Sequence, residues 1–157
     1  MQVMEKVIFI TGGSRGIGRH TAYLLSEQGA HIVVTYRKNE SEGQNVLREC
    51  RRRGASSAQL YQLNVKDTRS INQVIAKCIE KYGRIDILIN NAGVATWKHL
   101  EDQSKDEITN QIETNLTGLI LVTRAALPYI EGAIVNISSG SGKRGHENLT
   151  TYCATKF

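Results

Sequence analysis

Long apolar runs, paired cysteines and nucleic-acid motifs are all missing from this sequence. No apolar run approaches the length of a membrane span, so no membrane segment is expected. The start, "MQVMEKVIFIT", runs straight into a strand-like stretch, so no secretory signal is expected either. The cysteines, Cys50, Cys78 and Cys153, are odd in number, far apart and in no paired spacing. That argues against a disulfide frame or a zinc site and points to free thiols in a reducing compartment, hence a cytoplasmic protein with no bound metal. Acidic residues are in the minority, 15 against 20 Lys and Arg, for a net charge of +5. The densest basic cluster, Arg48, Arg51, Arg52 and Arg53, lies on a polar helical stretch and reads as a solvated face. No aromatics are interleaved with it, so a nucleic-acid partner is not expected. A weak preference for anionic ligands is all that the charge implies.

What is present is ordinary for a soluble globular domain. Hydrophobic residues make up 40% and charged residues 22% of 157 residues, enough for one domain, residues 1–157, with a real core. Short runs rich in Ile and Val, not strictly alternating, read as strands covered on both faces: Val7–Thr11, Ile32–Tyr36, Ala58–Leu63, Ile85–Asn90 and Ala133–Ser138. Helical patterns lie between them. The first spans Gly16–Gln28 and stops at Gly29, and the second runs from about Ser41 to Arg53 and stops at Gly54. The third, Thr68–Tyr82, has Asp67 as N-cap and Gly83 as its stop. The fourth starts at Ser104, where Ser104 and Glu107 form a capping box, and runs to about Leu127. The single proline, Pro128, then ends or kinks it. Strand and helix alternating with short connections predict a doubly wound α/β domain with a parallel sheet.

The stretch "TGGSRGIG", Thr11 to Gly18, follows the first strand and opens the first helix. Gly12, Gly16 and Gly18 suit a tight turn, close approach to a phosphate and close packing of the helix, with Ser14, Arg15 and Ile17 on the same loop. The helix N-terminus offers free amides to a pyrophosphate. The bland alternative is a glycine-rich turn with no ligand. At the end of the second strand, "HIVVTYRKNE", a carboxylate would bind the ribose hydroxyls of NAD. Tyr36, Arg37 and Lys38 stand there instead. Arg37, with Arg15 opposite, suits a 2′-phosphate. The expected cofactor is therefore NADP(H).

These pieces, with "NNAG" at Asn90–Gly93, Asn115 in "ETNLTG", "IVNISS" at Ile134–Ser139 and "YCATK" at Tyr152–Lys156, resemble the single-domain short-chain dehydrogenases/reductases in order and spacing. The resemblance spans essentially the whole chain. It implies a Rossmann-type fold and an NADP(H)-dependent oxidoreductase interconverting a carbonyl and an alcohol. It places Asn91, Ala92 and Gly93 beside the cofactor, and Asn115 as the anchor of a water in a proton relay. Ser139, 13 residues before Tyr152, is the catalytic serine by the family's spacing, in preference to Ser138. Tyr152 is the general acid–base, Lys156 lowers its pKa and holds the nicotinamide ribose, and both are also placed among the residues at the cofactor. Where the family usually has Asp at the end of the third strand, this chain has Asn64, whose amide oxygen can still accept a bond from adenine, with the Val65 backbone beside it.

The family also continues well beyond this helix, so the resemblance implies a chain lacking its C-terminal strands, helix and substrate loop, and not competent as an enzyme alone. Subunit contact through the long helix starting near Ser104 is implied as well, giving a homo-oligomer. A 3-oxoacyl carrier-protein reductase is one option within the family, but "LPYIEG" at the end of the long helix lacks the basic residues expected to meet an acidic carrier. The alternative from another class is a nucleotide-binding or interaction module without turnover.

The Tyr152/Lys156 pair also stands on its own physics. An ordinary tyrosine has a pKa near 10 and a general acid–base needs one nearer the working pH. Roughly 4 kcal/mol of preference for the phenolate closes that gap, about what one positive charge 4 Å away supplies at an effective dielectric of 20. Lys156, one turn on, shares a helix face with Tyr152. Trp97 and His99 are read either as substrate-pocket lining or as ordinary loop packing. Lys143, Arg144 and His146, between Ser139 and Tyr152, are read as solvated loop charges in preference to residues that favour an anionic substrate. Cys153 is given no chemistry.

Overall fold

The computed structural model describes residues 3–157. Five strands, β1 (Val7–Ile10), β2 (His31–Tyr36), β3 (Ser57–Gln62), β4 (Ile85–Asn90) and β5 (Ile130–Asn136), form one sheet in the order β3-β2-β1-β4-β5. Every pairing is parallel. Helices α1 (Gly16–Ser26), α2 (Glu40–Arg52) and α3 (Thr68–Tyr82) cross between strands. Helices α4 (Lys105–Ile112) and α5 (Gly118–Ala126) come between β4 and β5, and α6 (Thr150–Lys156) follows β5.

The continuous apolar runs are explained by two cores. Ile8 and Ile10 of β1 join Ile32, Val34, Ala22 and Val46 on the side of α1 and α2. Val7 and Phe9 join Val33, Ile71, Val74 and Val122 on the side of α3 and α5. Side chains alternate faces along each strand, but on β1, β2 and β4 both faces are covered, so no polar alternation survives there; β5, expected to be covered on both faces, is instead exposed from Glu131 to Asn136.

The caps form as the sequence predicts. Asp67 accepts from the Arg69 amide, and Gly83 closes α3 with a left-handed φ of 75°. Ser104 and Glu107 make both bonds of the capping box. Two expectations are corrected. The predicted single helix from Ser104 to Leu127 is interrupted by a π-helical turn at Glu113–Thr117, and a 3-10 turn at Leu127–Tyr129 carries Pro128. The fifth strand runs Ile130–Asn136 and not the predicted Ala133–Ser138, pairing Ile130 with Ile85 ahead of a bulge in which Glu131 and Gly132 stand opposite Asp86. A Cβ on Gly132 would overlap the Asp86 carbonyl oxygen, so this bulge needs glycine.

Asp86 is buried and ties this end of the sheet together. It accepts from the Val7 amide at 2.8 Å, from Lys6 at 2.9 Å and from Arg84 at 3.0 Å. Burial opposes its charge, but these donors outweigh burial and hold its pKa below the ordinary value. Half of the arginine cluster at the end of α2 is paired with acids: Glu49 takes Arg52 and Arg53, and Arg53 also reaches Glu27, while Arg48 donates to Asn45 and Arg51 to the Ala58 carbonyl.

Candidate active site

The cofactor end of the fold is built where β1 and β4 give way to their loops. Thr11 Oγ1 accepts from the amides of Asn91 and Ala92, both at 3.0 Å. Asn91 returns two bonds, its Nδ2 donating to the carbonyls of Thr11 and Gly12 at 2.9 Å. Thr35 holds the other side, accepting from the Gly12 amide at 3.1 Å through its hydroxyl and from the Gly13 amide at 2.9 Å through its carbonyl. The glycine loop is thus pinned from β2 and from the segment after β4. A Cβ on Gly18 would lie 2.5 Å from Asn91 Nδ2 and 2.9 Å from the Gly12 carbonyl. Gly18 therefore lets α1 close onto its own loop and Asn91, rather than onto the sheet as its motif position suggests.

Gly16 has a φ of +54° and no atom within 4 Å of where its Cβ would stand. It faces open space. The N-terminus of α1 carries no side-chain cap and no acid in its first turn. A cavity of about 690 Å3 opens beside it. Of the predicted cofactor residues, Gly12, Ser14, Arg15, Gly16, Ile17, Arg37, Val65, Asn91, Ala92 and Gly93 line this cavity. Gly18 lies beneath it. Asn64, Tyr152 and Lys156 do not line it, and Asn64 Oδ1 accepts instead from the Lys66 amide at 3.3 Å.

The structure adds Thr35, Tyr36, Lys38, Asn39, Glu42, Leu63, Val94 and Thr114 to the lining. Asn39 also caps α2, accepting from the Glu42 amide at 3.2 Å. The Asn39…Glu42 spacing is a capping signal visible in the sequence. The two threonines carry no such signal.

The catalytic candidates lie outside this cavity, and Asn115 links them to it. Asn115 sits in the π-turn, and its amide is fully engaged. Oδ1 accepts from the Val94 amide at 2.8 Å; Nδ2 donates to the Val94 carbonyl at 2.8 Å and to Thr155 Oγ1 at 3.0 Å. Thr155 donates in turn to the Tyr152 carbonyl at 2.8 Å. The side chain of Asn115 therefore joins the cavity wall to α6.

Ser139 follows β5 with extended backbone, and its Oγ accepts from the Ser141 amide at 3.1 Å. Tyr152 and Lys156 share a face of α6, with Lys156 Nζ 5.8 Å from the centre of the Tyr152 ring. Nζ donates to the Ile137 carbonyl at 2.7 Å. Burial lowers the lysine pKa. Neighbouring Cys153 is buried, its thiol turned toward the Arg144 carbonyl at 3.8 Å. Burial pushes the Cys50 thiol up and Cys78 up to about 12, which suits inert packing residues. Trp97 is 71% exposed, so the loop-packing reading does not hold for it. Lys143 and Arg144 are exposed, and His146 is half-buried.

Comparison with known proteins shows the family. Residues 6–157 match the family model described as short chain dehydrogenase. The chain is 34% identical to the 3-oxoacyl-[acyl-carrier-protein] reductase FabG of Staphylococcus aureus over 98% of its own length and 63% of that protein's. It is 35% identical to a trans-4-hydroxycyclohexanecarboxylate dehydrogenase of Sinomonas cyclohexanicum, covering 99% of this chain and 63% of the relative. The chain thus spans less than two thirds of the length of these relatives. Among solved structures, a short-chain dehydrogenase/reductase from Serratia marcescens superposes with a TM-score of 0.93 at 25% identity, over 99% of this chain and 64% of the other. A metagenomic short-chain oxidoreductase in complex with NADP superposes with a TM-score of 0.92 at 31% identity, over 99% and 72%. With the glycine loop, the parallel sheet and the Tyr152/Lys156 face all in place, this chain belongs to the short-chain dehydrogenase family.

Proposed function

We propose that this chain carries the cofactor site and the acid–base group of an NADP(H)-dependent oxidoreductase that interconverts a carbonyl and an alcohol. The observation that carries this reading is Tyr152 and Lys156 on one face of α6, with Lys156 tied to the strand end that also presents Ser139.

The residues present fit a phosphorylated dinucleotide. Gly16 leaves open space at an uncapped helix N-terminus, where free amides and the helix dipole favour a pyrophosphate. Arg15, Arg37 and Lys38 line the cavity against one acid, Glu42. That balance favours the additional phosphate of NADP(H). Val65 and Ala92 supply apolar wall. When bound, the cofactor supplies or takes the hydride.

The chain's own residues handle the proton. Tyr152 donates it to the carbonyl oxygen in reduction and removes it from the alcohol in oxidation. Ser139 hydrogen-bonds that oxygen and orients it. The Lys156 ammonium lies 5.8 Å from the centre of the Tyr152 ring, on the same face of α6. Asn115 positions α6 through Thr155.

The relatives' names cover different substrates, so the reading stops at the class carbonyl or alcohol. It extends to a homo-oligomer, supported by a stripe of exposed apolar residues at four-residue spacing, Ile112, Leu116 and Ile120, 41, 43 and 53% exposed. It also extends to a cytoplasmic location, supported by three free, buried thiols. Among the described residues no helix is long and apolar enough to cross a membrane. The test is NADPH oxidation by the natural chain over a panel of ketones, aldehydes and sugars. Turnover with any of them supports the reading, and NADPH binding without turnover on any of them favours a nucleotide-binding module.

A further inference from the structure

We infer that Gln111 and Gln103 are positioning residues: together they close a buried hydrogen-bond circuit that fixes Thr96–Lys98 as a wall of the substrate site. The inference rests on the oxidoreductase reading, which puts the substrate oxygen beside Ser139 and Tyr152.

The segment that follows the cavity passes alongside α4 and the π-turn and is bonded at every second residue. The Asn115 amide takes both the N–H and the carbonyl of Val94 at 2.8 Å. Four residues earlier, Gln111 Oε1 accepts from the Thr96 amide at 3.1 Å. Four residues earlier again, Glu107 Oε1 accepts from Lys98 Nζ at 2.6 Å. Four residues of helix rise about 6 Å, and two residues of extended chain span about 6.6 Å. The two repeats match, so side chains at four-residue spacing meet alternate residues of one passing segment.

Gln111 is the central rung, and the circuit runs through it. Its Nε2 donates to Gln103 Oε1 and to the Glu107 carbonyl, both at 3.2 Å. Gln103 Nε2 donates in turn to the Lys98 carbonyl at 3.0 Å. The circuit leaves the segment at the Thr96 amide and returns to it at the Lys98 carbonyl, on either side of Trp97, and lies wholly within residues 96–111. Its ends fix the orientation of both side-chain amides, because a backbone N–H only donates and a carbonyl only accepts. Gln111 is 0% exposed and Gln103 7% exposed. Buried amides have no water to turn to, so the circuit is held only when it is complete.

The segment held this way joins the two parts of the site. Val94 lines the cofactor cavity. The Lys98 amide donates to the Asn148 carbonyl at 3.0 Å, in the stretch between Ser139 and Tyr152. Asn115 fixes Val94 independently of the two glutamines. The circuit therefore acts on the Thr96–Lys98 wall and spares the cofactor side.

The test uses the natural full-length chain and the variants Gln111→Met and Gln103→Met, which keep the length of the side chain and remove its bonds. The readouts are residue-resolved amide exchange, KM and kcat for a carbonyl that wild type reduces, the NADPH dissociation constant, and Tm. In wild type the Thr96 amide is expected to exchange at least about tenfold more slowly than in an open chain of the same sequence. Q111M is expected to lose that protection and to raise KM about tenfold, with kcat within about threefold and NADPH affinity within about twofold of wild type. Q103M is expected to act in the same direction through Lys98. The double variant is expected to raise KM no further than Q111M, because both residues serve one circuit. The inference is overturned if the wild-type Thr96 amide is unprotected, if Q111M keeps the wild-type KM, if NADPH affinity falls as far as KM rises, or if the two single effects add. Should Tm show that Q111M does not fold, wild-type exchange and Q103M decide. Should wild type reduce no carbonyl, the oxidoreductase reading falls, and exchange still decides whether the circuit holds the segment.

Discussion

The ammonium of Lys156 is held 2.7 Å from the Ile137 carbonyl, so the lysine is fixed from the end of β5 and not only by its own helix. This bond keeps the charge beside the Tyr152 ring while leaving two of its three donor positions for other partners. Lys156→Ala is expected to lower kcat by at least 100-fold and to weaken NADPH binding several-fold, because both proposed roles go with the same amine. Steady-state kinetics and a fluorescence titration check this. Normal NADPH affinity in K156A would remove the ribose-holding role.

The proposed preference for NADP(H) rests on Arg15 and Arg37 lining one cavity with no acid at Tyr36. A charge-assisted bond contributes about 1.5–3 kcal/mol, and tenfold in affinity is about 1.4 kcal/mol. The natural chain is therefore expected to bind NADP(H) at least tenfold more tightly than NAD(H), and Arg37→Asp to abolish or reverse that ratio. Direct titration of both cofactors decides it, and an unchanged ratio in R37D would assign the preference elsewhere.

Acid should destabilise the fold through Asp86. Its folded pKa is held below the ordinary 3.8, so the folded state binds that proton less readily than the unfolded chain. The resulting stabilisation is complete above about pH 4 and is lost as pH falls through the folded value. Asp86→Asn is expected to cost about 2 kcal/mol at pH 7, a discounted figure because Lys6 and Arg84 are partly exposed. Denaturation of both proteins between pH 7 and pH 2.5 should show the difference shrinking below about pH 4. A constant difference would mean that shape, not charge, is what Asn fails to replace.

Much of this site was legible in the sequence, for physical reasons that differ by residue. Gly12, Gly16 and Gly18 are read directly because their conformations and close approaches admit little else. Asp67, Gly83, Ser104 and Glu107 are read because capping is local. The π-turn at Glu113–Thr117 was not legible. It accompanies a close contact in which Gly118 packs under Val65, where a Cβ would stand 2.8 Å from Val65 Cγ2, and that contact is tertiary. The start of β5 at Ile130 comes ahead of a bulge opposite Asp86, again a property of the neighbouring strand. Asn115 was found by its motif, but its bonds to Val94 and Thr155 come from elements brought together only by folding. Asn64 stands at the motif's position yet turns its amide to Lys66, because a short side chain in a turn bonds its own backbone readily.

The central claim is that Tyr152 moves the proton and does not hold the cofactor. The most direct measurement is NADPH oxidation by Tyr152→Phe in the natural chain, with its NADPH affinity measured in parallel. The account predicts turnover reduced by at least 1000-fold with affinity within about twofold of wild type, the range expected when an essential acid–base is removed from an intact site. Turnover within tenfold of wild type, on a substrate that wild type reduces, would contradict it, because the proton would then come from another group.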